Sequence, residues 1–383
     1  MKKLLFSTLA LTLIFALTAS ATDTRVLTLG EANNIVKDEA NIFLYPSTIN
    51  MYRGLVLGEV ATADQLYSVG AHYDFGEGKS VIGLYVSSIG WPLADGAPDP
   101  DGDNATDNKL NLFYGRPFGD TQFGMALALY QDSYMRDGDP DDETDESNLN
   151  LGIQLGLTLQ EKLDLALGFM YGTWTNKGED GEDQTKPLTN MTIDFGGRYW
   201  YAFNDNVDFI PHLGFTYGMA GYEVPDVTED KTTHMVLDLG WGVNIRPVDR
   251  VLLLFDLGIL YETLKDEVTP EGGDAAELTQ TWIHLPYYRV GLEGYVTKWW
   301  DLRLGAVKIW DNITTPDFEA PDPDIDDKYA VAQTNLYLGS GVHFGNLTVD
   351  AWMNPDFVLN GPNFVSGWSG NLAYMASIKY AWK

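Results

Sequence analysis

Residues 148–159 read NLNLGIQLGLTL, and this stretch decides the fold. Leu149, Leu151, Ile153, Leu155, Leu157 and Leu159 share one face of an extended chain, while Asn148, Asn150, Gly152, Gln154, Gly156 and Thr158 share the other. A period of two belongs to a strand, because a helix spreads such a set around its circumference.

The pattern returns in TQFGMALALY, LDLALGFMYGTW, TNMTIDFGGRYWY, VDFIPHLGFTYG, HMVLDLGWGVNI and LAYMASIKYAW. About sixteen such segments begin near residues 53, 65, 79, 108, 121, 148, 163, 189, 207, 232, 251, 278, 301, 328, 347 and 371. Their length, mostly about 8 to 14 residues, suits the roughly 9 to 11 that carry a tilted strand across a bilayer. Short connections (RPFGD, LQEK, FNDN, PVDR, TKWWD, FGN) take turns with long ones near 88–107, 134–147, 175–188, 220–231, 265–277, 313–327 and 355–370. Tight periplasmic turns opposite long extracellular loops are the mark of an outer-membrane barrel.

The sequence therefore predicts an all-β chain: one transmembrane antiparallel up-and-down barrel of about 16 strands, or 14 if the first hairpin belongs to an N-terminal plug. The leucine faces turn to lipid. The opposite face is rich in Gly and Ala and carries isolated charges, among them Asp164, Asp194, Arg198, Asp238, Arg246, Arg289 and Glu293. These suit a lumen in which opposing groups lie close, and Asp164, Asp194 and Arg198 are expected to pair across it. Inward positions such as Gln154 and Asn244 are expected to tolerate arginine. Tyr199-Trp200-Tyr201, Trp299-Trp300 and Tyr380 with Trp382 stand at segment ends, where interfacial girdles place rings with one apolar side and one polar tip.

Charge separates the two rims. The chain has 55 Asp and Glu against 24 Lys and Arg, and the seven long connections hold 32 of those acids with only five basic residues. A surface this acidic repels nucleic acid, which is bound by displacing counterions with Lys and Arg. There is no cysteine, so disulfides, thiolate metal sites and N-terminal lipid attachment are excluded.

Residues 1–21 read as a signal peptide: Lys2 and Lys3, an apolar core from Leu4 to Leu17, then Ala19-Ser20-Ala21 as the cleavage site. Residues 22–52 fit no strand pattern, and the barrel is assigned to 53–383. Within GEANNIVKDEANIFLYPSTINMY (Gly30 to Tyr52), Pro46 breaks any helix, and Ile42, Phe43 and Leu44 need a dry place to sit.

Gly30 and Ala32, then Asp38, Glu39 and Ala40, then Pro46 and Ile49 resemble the N-terminal motif of FadL-type hydrophobic-compound channels and the related PorV-type barrels. In that motif G-x-A is followed by D-D/E-A and N-P-A-x-L; here Tyr45 replaces the Asn and Ser47 the Ala. The resemblance implies that this segment, Phe43 included, folds into the lumen as a hatch and that Pro46 marks the turn into the wall. It further implies passive uptake of a small hydrophobic solute. A general diffusion porin and a non-transporting barrel that docks secreted or surface partners are the alternatives. The final strand, with Tyr374, Ile378, Tyr380 and Trp382 on one face, resembles the C-terminal signal read by the barrel assembly machinery, with Lys383 added beyond the aromatic. Outer-membrane lipids are the remaining partner.

Two further patterns invite chemistry. Asp99, Asp101, Asp103 and Asp107 stand at calcium-loop spacings, echoed by Asp322, Asp324 and Asp326, but Leu110 occupies the place of the bidentate Glu and the glycine is displaced to Gly102. Calcium is thus the one metal suggested, beside a reading as solvated acidic loops; no other cofactor is implied. All five histidines (His72, His212, His234, His284, His343) fall in strand segments, four on the inward face. No G-x-S-x-G or other nucleophile context occurs, so an enzyme is not expected.

Overall fold

The computed structural model describes residues 24–61, 67–76, 80–87, 108–136, 144–177, 183–187, 190–224, 228–270, 276–316, 326–354 and 373–382. The strands are β1 (Leu55–Ala61), β2 (Tyr67–Phe75), β3 (Ser80–Ser87), β4 (Asn108–Phe118), β5 (Thr121–Arg136), β6 (Thr144–Leu159), β7 (Leu163–Lys177), β8 (Asp183–Pro187), β9 (Asn190–Tyr199), β10 (Tyr201–Asn204), β11 (Val207–Val224), β12 (Thr228–Val248), β13 (Val251–Pro270), β14 (Ala276–Tyr295), β15 (Trp300–Pro316), β16 (Asp326–Phe344), β17 (Leu347–Met353) and β18 (Ala373–Ala381). Each pairs antiparallel with its neighbours. The seam closes where Leu55 of β1 faces Ala381 of β18. Strands β8 and β9 both lie between β7 and β11, and β10 continues them along β11, so the segments fill 16 wall positions.

Turn chemistry fixes the hairpins at one rim. Gly119-Asp120 joins β4 to β5 and Gly345-Asn346 joins β16 to β17, each with a glycine at positive φ (61° and 63°) as the first central residue of a two-residue turn. That backbone matches the twist of the flanking strands, and only glycine takes it without strain.

The strands run longer at the other rim than the alternation suggests. β12 has 21 residues and β13 has 20, so their ladder continues through regions expected to be loop, with Lys231 opposite Glu267 and Thr232 opposite Asp266. There both faces are polar and the period of two disappears, while cross-strand pairs such as Thr232 Oγ1 donating to Asp266 (2.8 Å) support the hairpin.

Burial is inverted relative to a water-soluble protein. Leu151 is 53% exposed and Ile153 39%, whereas Gln154 is 2% exposed. The same inversion holds along β13, where Phe255, Leu257 and Ile259 face out and Leu254 and Asp256 are buried inside. Only a hydrocarbon surrounding makes such a surface favourable, and a closed barrel meets it with every wall hydrogen bond internal. The chain is a transmembrane barrel. Arginine at Ile153 or Leu237, both on the outward face, is expected to cost about 2 to 4 kcal/mol at mid-bilayer. The check is loss of the heat-modifiable folded band on electrophoresis after refolding into liposomes.

Candidate functional site

The lumen at the short-turn end is filled by the chain's own N-terminal segment. It starts as a short helix, Thr24–Thr28, reverses at Gly30 and Glu31, then makes two 3-10 turns, Glu39–Phe43 and Pro46–Met51, before β1. Its order comes from local caps. Asp38 accepts a hydrogen bond from the Ala40 N–H (3.1 Å) while Asn41 accepts from the Asp38 N–H (3.1 Å), a reciprocal box that fixes the first turn. Pro46 opens the second turn, where its missing N–H and fixed φ cost nothing.

Two apolar clusters hold the segment. Ile42, Phe43 and Ile49 pack with Leu57, Val81, Tyr85, Phe113 and Ala126 of the wall; Leu29, Ala32, Ile35 and Val36 pack with Trp200, Ile210 and Leu254. Inward glycines form the seats. A Cβ on Gly124 would lie 2.1 Å from the Pro46 carbonyl carbon, and one on Gly305 would lie 2.2 Å from the Gly30 nitrogen. Gly30 itself has φ +82° and would press a Cβ to 3.0 Å from the Val290 carbonyl oxygen, so both conformation and space require glycine there.

Polar clamps add direction. Arg198 of β9 donates to Asp164 (2.8 Å), to the carbonyls of Asn33 (3.0 Å), Asn34 (3.3 Å) and Val36 (3.3 Å), and to Asn41 Oδ1 (2.9 Å). Its guanidinium lies 4.5 Å from the Tyr45 ring centre, a cation–π contact that gives a physical role to the aromatic at the place of the family's Asn. Ser47 hydrogen-bonds Thr158 (2.8 Å), which donates to Asp164 (2.6 Å).

A second clamp centres on Glu293 of β14. Arg25 of the segment donates to both its oxygens (2.8 and 3.0 Å) and to Asp38 (2.8 Å), and Arg303 of β15 donates to Glu293 (2.9 Å), Asp350 (2.6 Å) and Asp301 (2.9 Å). Burial alone lowers the Arg25 pKa, but the Glu293 and Asp38 charges more than offset it and hold the group well above its ordinary value. Lys379 pairs with Glu39, Tyr337 donates to Glu31, and the Thr24 N–H donates to Glu59 (3.0 Å).

The lumenal charges singled out from sequence separate into several sites. Asp164 and Arg198 are neighbours on adjacent strands rather than partners across the lumen. Asp194 stands apart from them and accepts a 3.4 Å hydrogen bond from Gln154. Asp238 accepts from Tyr287 (2.7 Å), Arg289 pairs with Asp256 (3.0 Å), and Arg246 pairs with Asp208 (2.6 Å) at the exposed rim. The expectation that Gln154 and Asn244 tolerate arginine is overturned. Both are buried against the segment, donating to the Leu44 carbonyl (3.2 Å) and the Ile35 carbonyl (2.7 Å).

All five histidines have inward partners, one more than expected. His72 meets the Tyr52 carbonyl (2.6 Å) and the Tyr85 hydroxyl (2.8 Å), His212 meets Asp256 (3.0 Å), and His343 meets Asp301 (2.6 Å). His234 meets Glu262 (2.8 Å), and His284 meets Asp311 (2.6 Å). Among the described residues no group of three or more His, Asp or Glu is arranged to hold a metal. Residues 1–21 and the loop acids Asp99, Asp101, Asp103 and Asp107 lie outside the described residues.

Sequence reasoning missed Arg25, Asp301, Arg303 and Glu59. The phase of WDLRLG does put Asp301 and Arg303 on the inward face, but Arg303's partners Glu293 and Asp350 come from β14 and β17 and Asp301's partner His343 from β16, which only the register brings near.

The fold and the filled lumen define a class: a closed transmembrane barrel stoppered by its own N-terminus. No family model matches the chain, and no curated protein matches it in sequence. Among solved structures it is similar to the ferric yersiniabactin uptake receptor FyuA of Yersinia pestis (10% identity, TM-score 0.45), with 78% of this chain covering 53% of that one. It is also similar to the toluene transporter TbuX of Ralstonia pickettii (10%, TM-score 0.40, 96% of this chain on 100% of that one). A third is a FadL homologue of Pseudomonas aeruginosa (12%, TM-score 0.43, 96% on 99%). At such scores the functional reading rests on this chain's own residues.

Arg198→Ala removes the charged donor of four hydrogen bonds to the segment, so docking of the segment should weaken by about 3 kcal/mol. The chain has no native cysteine. A single Ile42→Cys, protected from a water-soluble maleimide in the parent, should become labelled in the Arg198→Ala background.

Proposed function

We propose that this chain is an outer-membrane uptake channel for a small hydrophobic solute, gated by residues 24–52. The observation that carries this reading is the stopper itself: apolar clusters, glycine seats and ion pairs hold one segment across the lumen at the short-turn end. An open diffusion porin has no use for such a segment. Above it, Ala128, Tyr130 and Met170 form a further buried apolar cluster, which suits an apolar solute. The outward hydrophobic belt is its contact with lipid. β18, whose Ile378 and Tyr380 face outward beside the seam, is the strand offered to the assembly machinery. Calcium at Asp99, Asp101, Asp103 and Asp107 is kept as a proposal for the long-loop rim, where the acidic excess disfavours anionic solutes entering from that side.

Deleting residues 24–44 tests the gate. The wall pairs without them, so the variant should keep its folded electrophoretic band, show a larger single-channel conductance in planar bilayers, and lose preference for apolar over polar solutes in liposome flux. Unchanged conductance would overturn the gate. Large stable conductance in the intact chain would favour the diffusion porin, and absence of flux in both would favour a docking barrel.

A further inference from the structure

At the short-turn rim a cavity of about 260 Å³ opens between residues 25–37 of the stopper and the wall at Trp200 and β12–β14. Its lining is unusual for a chain with 55 acids and 24 Lys and Arg: Arg25, Lys37, Arg246 and Arg250 face it, against Asp249 and Glu293. Two of these cations are already neutralised, Arg25 by Glu293 and Asp38 and Arg246 by Asp208. The other two are not. Lys37 donates only to the Glu161 carbonyl (3.3 Å) and lies 4.9 Å from the Trp200 ring centre, and Arg250 has no side-chain hydrogen bond or ion pair among the described residues.

The floor is apolar. Val36 and Trp200 are buried, and Leu252 packs against the same cluster. Asn244 also lines the cavity; its Nδ2 is used by Ile35, while its Oδ1 is without a partner among the described residues. The cavity therefore joins an apolar floor to two cations with no direct carboxylate partner among the described residues, Lys37 on the stopper and Arg250 on the β12–β13 turn, with Asp249 and Glu293 also in the lining.

We propose that this cavity is a binding site for a small organic carboxylate. Its apolar body lies against Trp200 and Leu252, and its carboxylate bridges Lys37 and Arg250. An inorganic anion would leave the floor unused, and a neutral apolar molecule would leave the cations unmatched. The acidic long-loop rim repels anions, so the site serves the solution at the short-turn end. Because one anchor is on the stopper and the other on the wall, the bound anion also ties the two together. The site stands independently of any transported solute, and its test needs no flux.

The test uses the full mature chain in detergent micelles, with benzoate as probe and benzyl alcohol, benzylammonium and inorganic phosphate as comparisons, followed by saturation-transfer NMR against empty micelles. Benzoate should bind saturably, ahead of the other three, and more weakly as salt rises. Arg250→Gln and Lys37→Gln should each weaken it by about tenfold, the size of one charge-assisted hydrogen bond, while keeping the folded electrophoretic band. Both residues are exposed at the rim, so loss of fold is not expected to obscure the result. Equal binding of benzyl alcohol, displacement by phosphate as readily as by benzoate itself, or parent-like affinity in both variants would overturn the proposal.

Discussion

Arg198 carries five N–H donors on a charge that water does not reach, and the strand neighbour Asp164 uses only part of that capacity. The remaining donors take three backbone carbonyls and one side-chain amide from residues 33–41. Those carbonyls are consequently not spent on helix or sheet bonds. The irregular path of the stopper is thus the shape a chain takes when several of its carbonyls must converge on one guanidinium. Withdrawing the stopper would strip four hydrogen bonds from a buried guanidinium, so wall and stopper are coupled through it. Tyr45 beneath the guanidinium and Thr158 behind Asp164 extend the same network to the second 3-10 turn.

Glycines complement the clamp from the wall side. A sheet face that packs an irregular segment backbone to backbone needs inward positions without side chains, and Gly124, Gly156 and Gly305 supply them where Pro46, Ser47 and Leu29-Gly30 approach. The glycine density of the inward face was visible in the sequence as a sign of close approach inside a barrel. Which glycines meet the stopper was not visible, because that depends on how sixteen strands are staggered. The same gap explains the misreading of Gln154 and Asn244: alternation places them inward correctly, but says nothing of whether the lumen beside them is water or protein.

The wall was legible because its period is local. Each strand announces its two faces within a dozen residues, and the predicted starts near 121, 163, 207, 251 and 347 coincide with the observed ones. The ends toward the long connections were less so. Beyond the lipid both faces of a hairpin meet water, alternation ceases, and β12 and β13 continue unannounced. The candidate site was legible only where its residues are contiguous, as in the Asp38 cap and Pro46. The Arg25–Glu293–Arg303 clamp draws on positions 25, 293, 301, 303 and 350, and no sequence spacing connects them.

The two clamps differ in a way that bears on gating. Arg198 and Asp164 belong to the wall and remain paired whether or not the stopper is present, so withdrawal of residues 33–41 leaves an ion pair behind rather than two separated charges. Glu293 likewise keeps Arg303 when Arg25 departs. Each clamp thus has a wall partner already in place, which lowers the cost of release below that of breaking an isolated buried pair. The apolar clusters oppose release, since Leu29, Ile35, Ile42, Phe43 and Ile49 would lose their dry contacts. The wall's backbone ladder loses nothing, because its hydrogen bonds close strand to strand around the seam. Apart from Lys379, which pairs with Glu39 of the stopper, the clamping charges keep a wall partner, so under the proposed gating the segment can leave a barrel that stays folded.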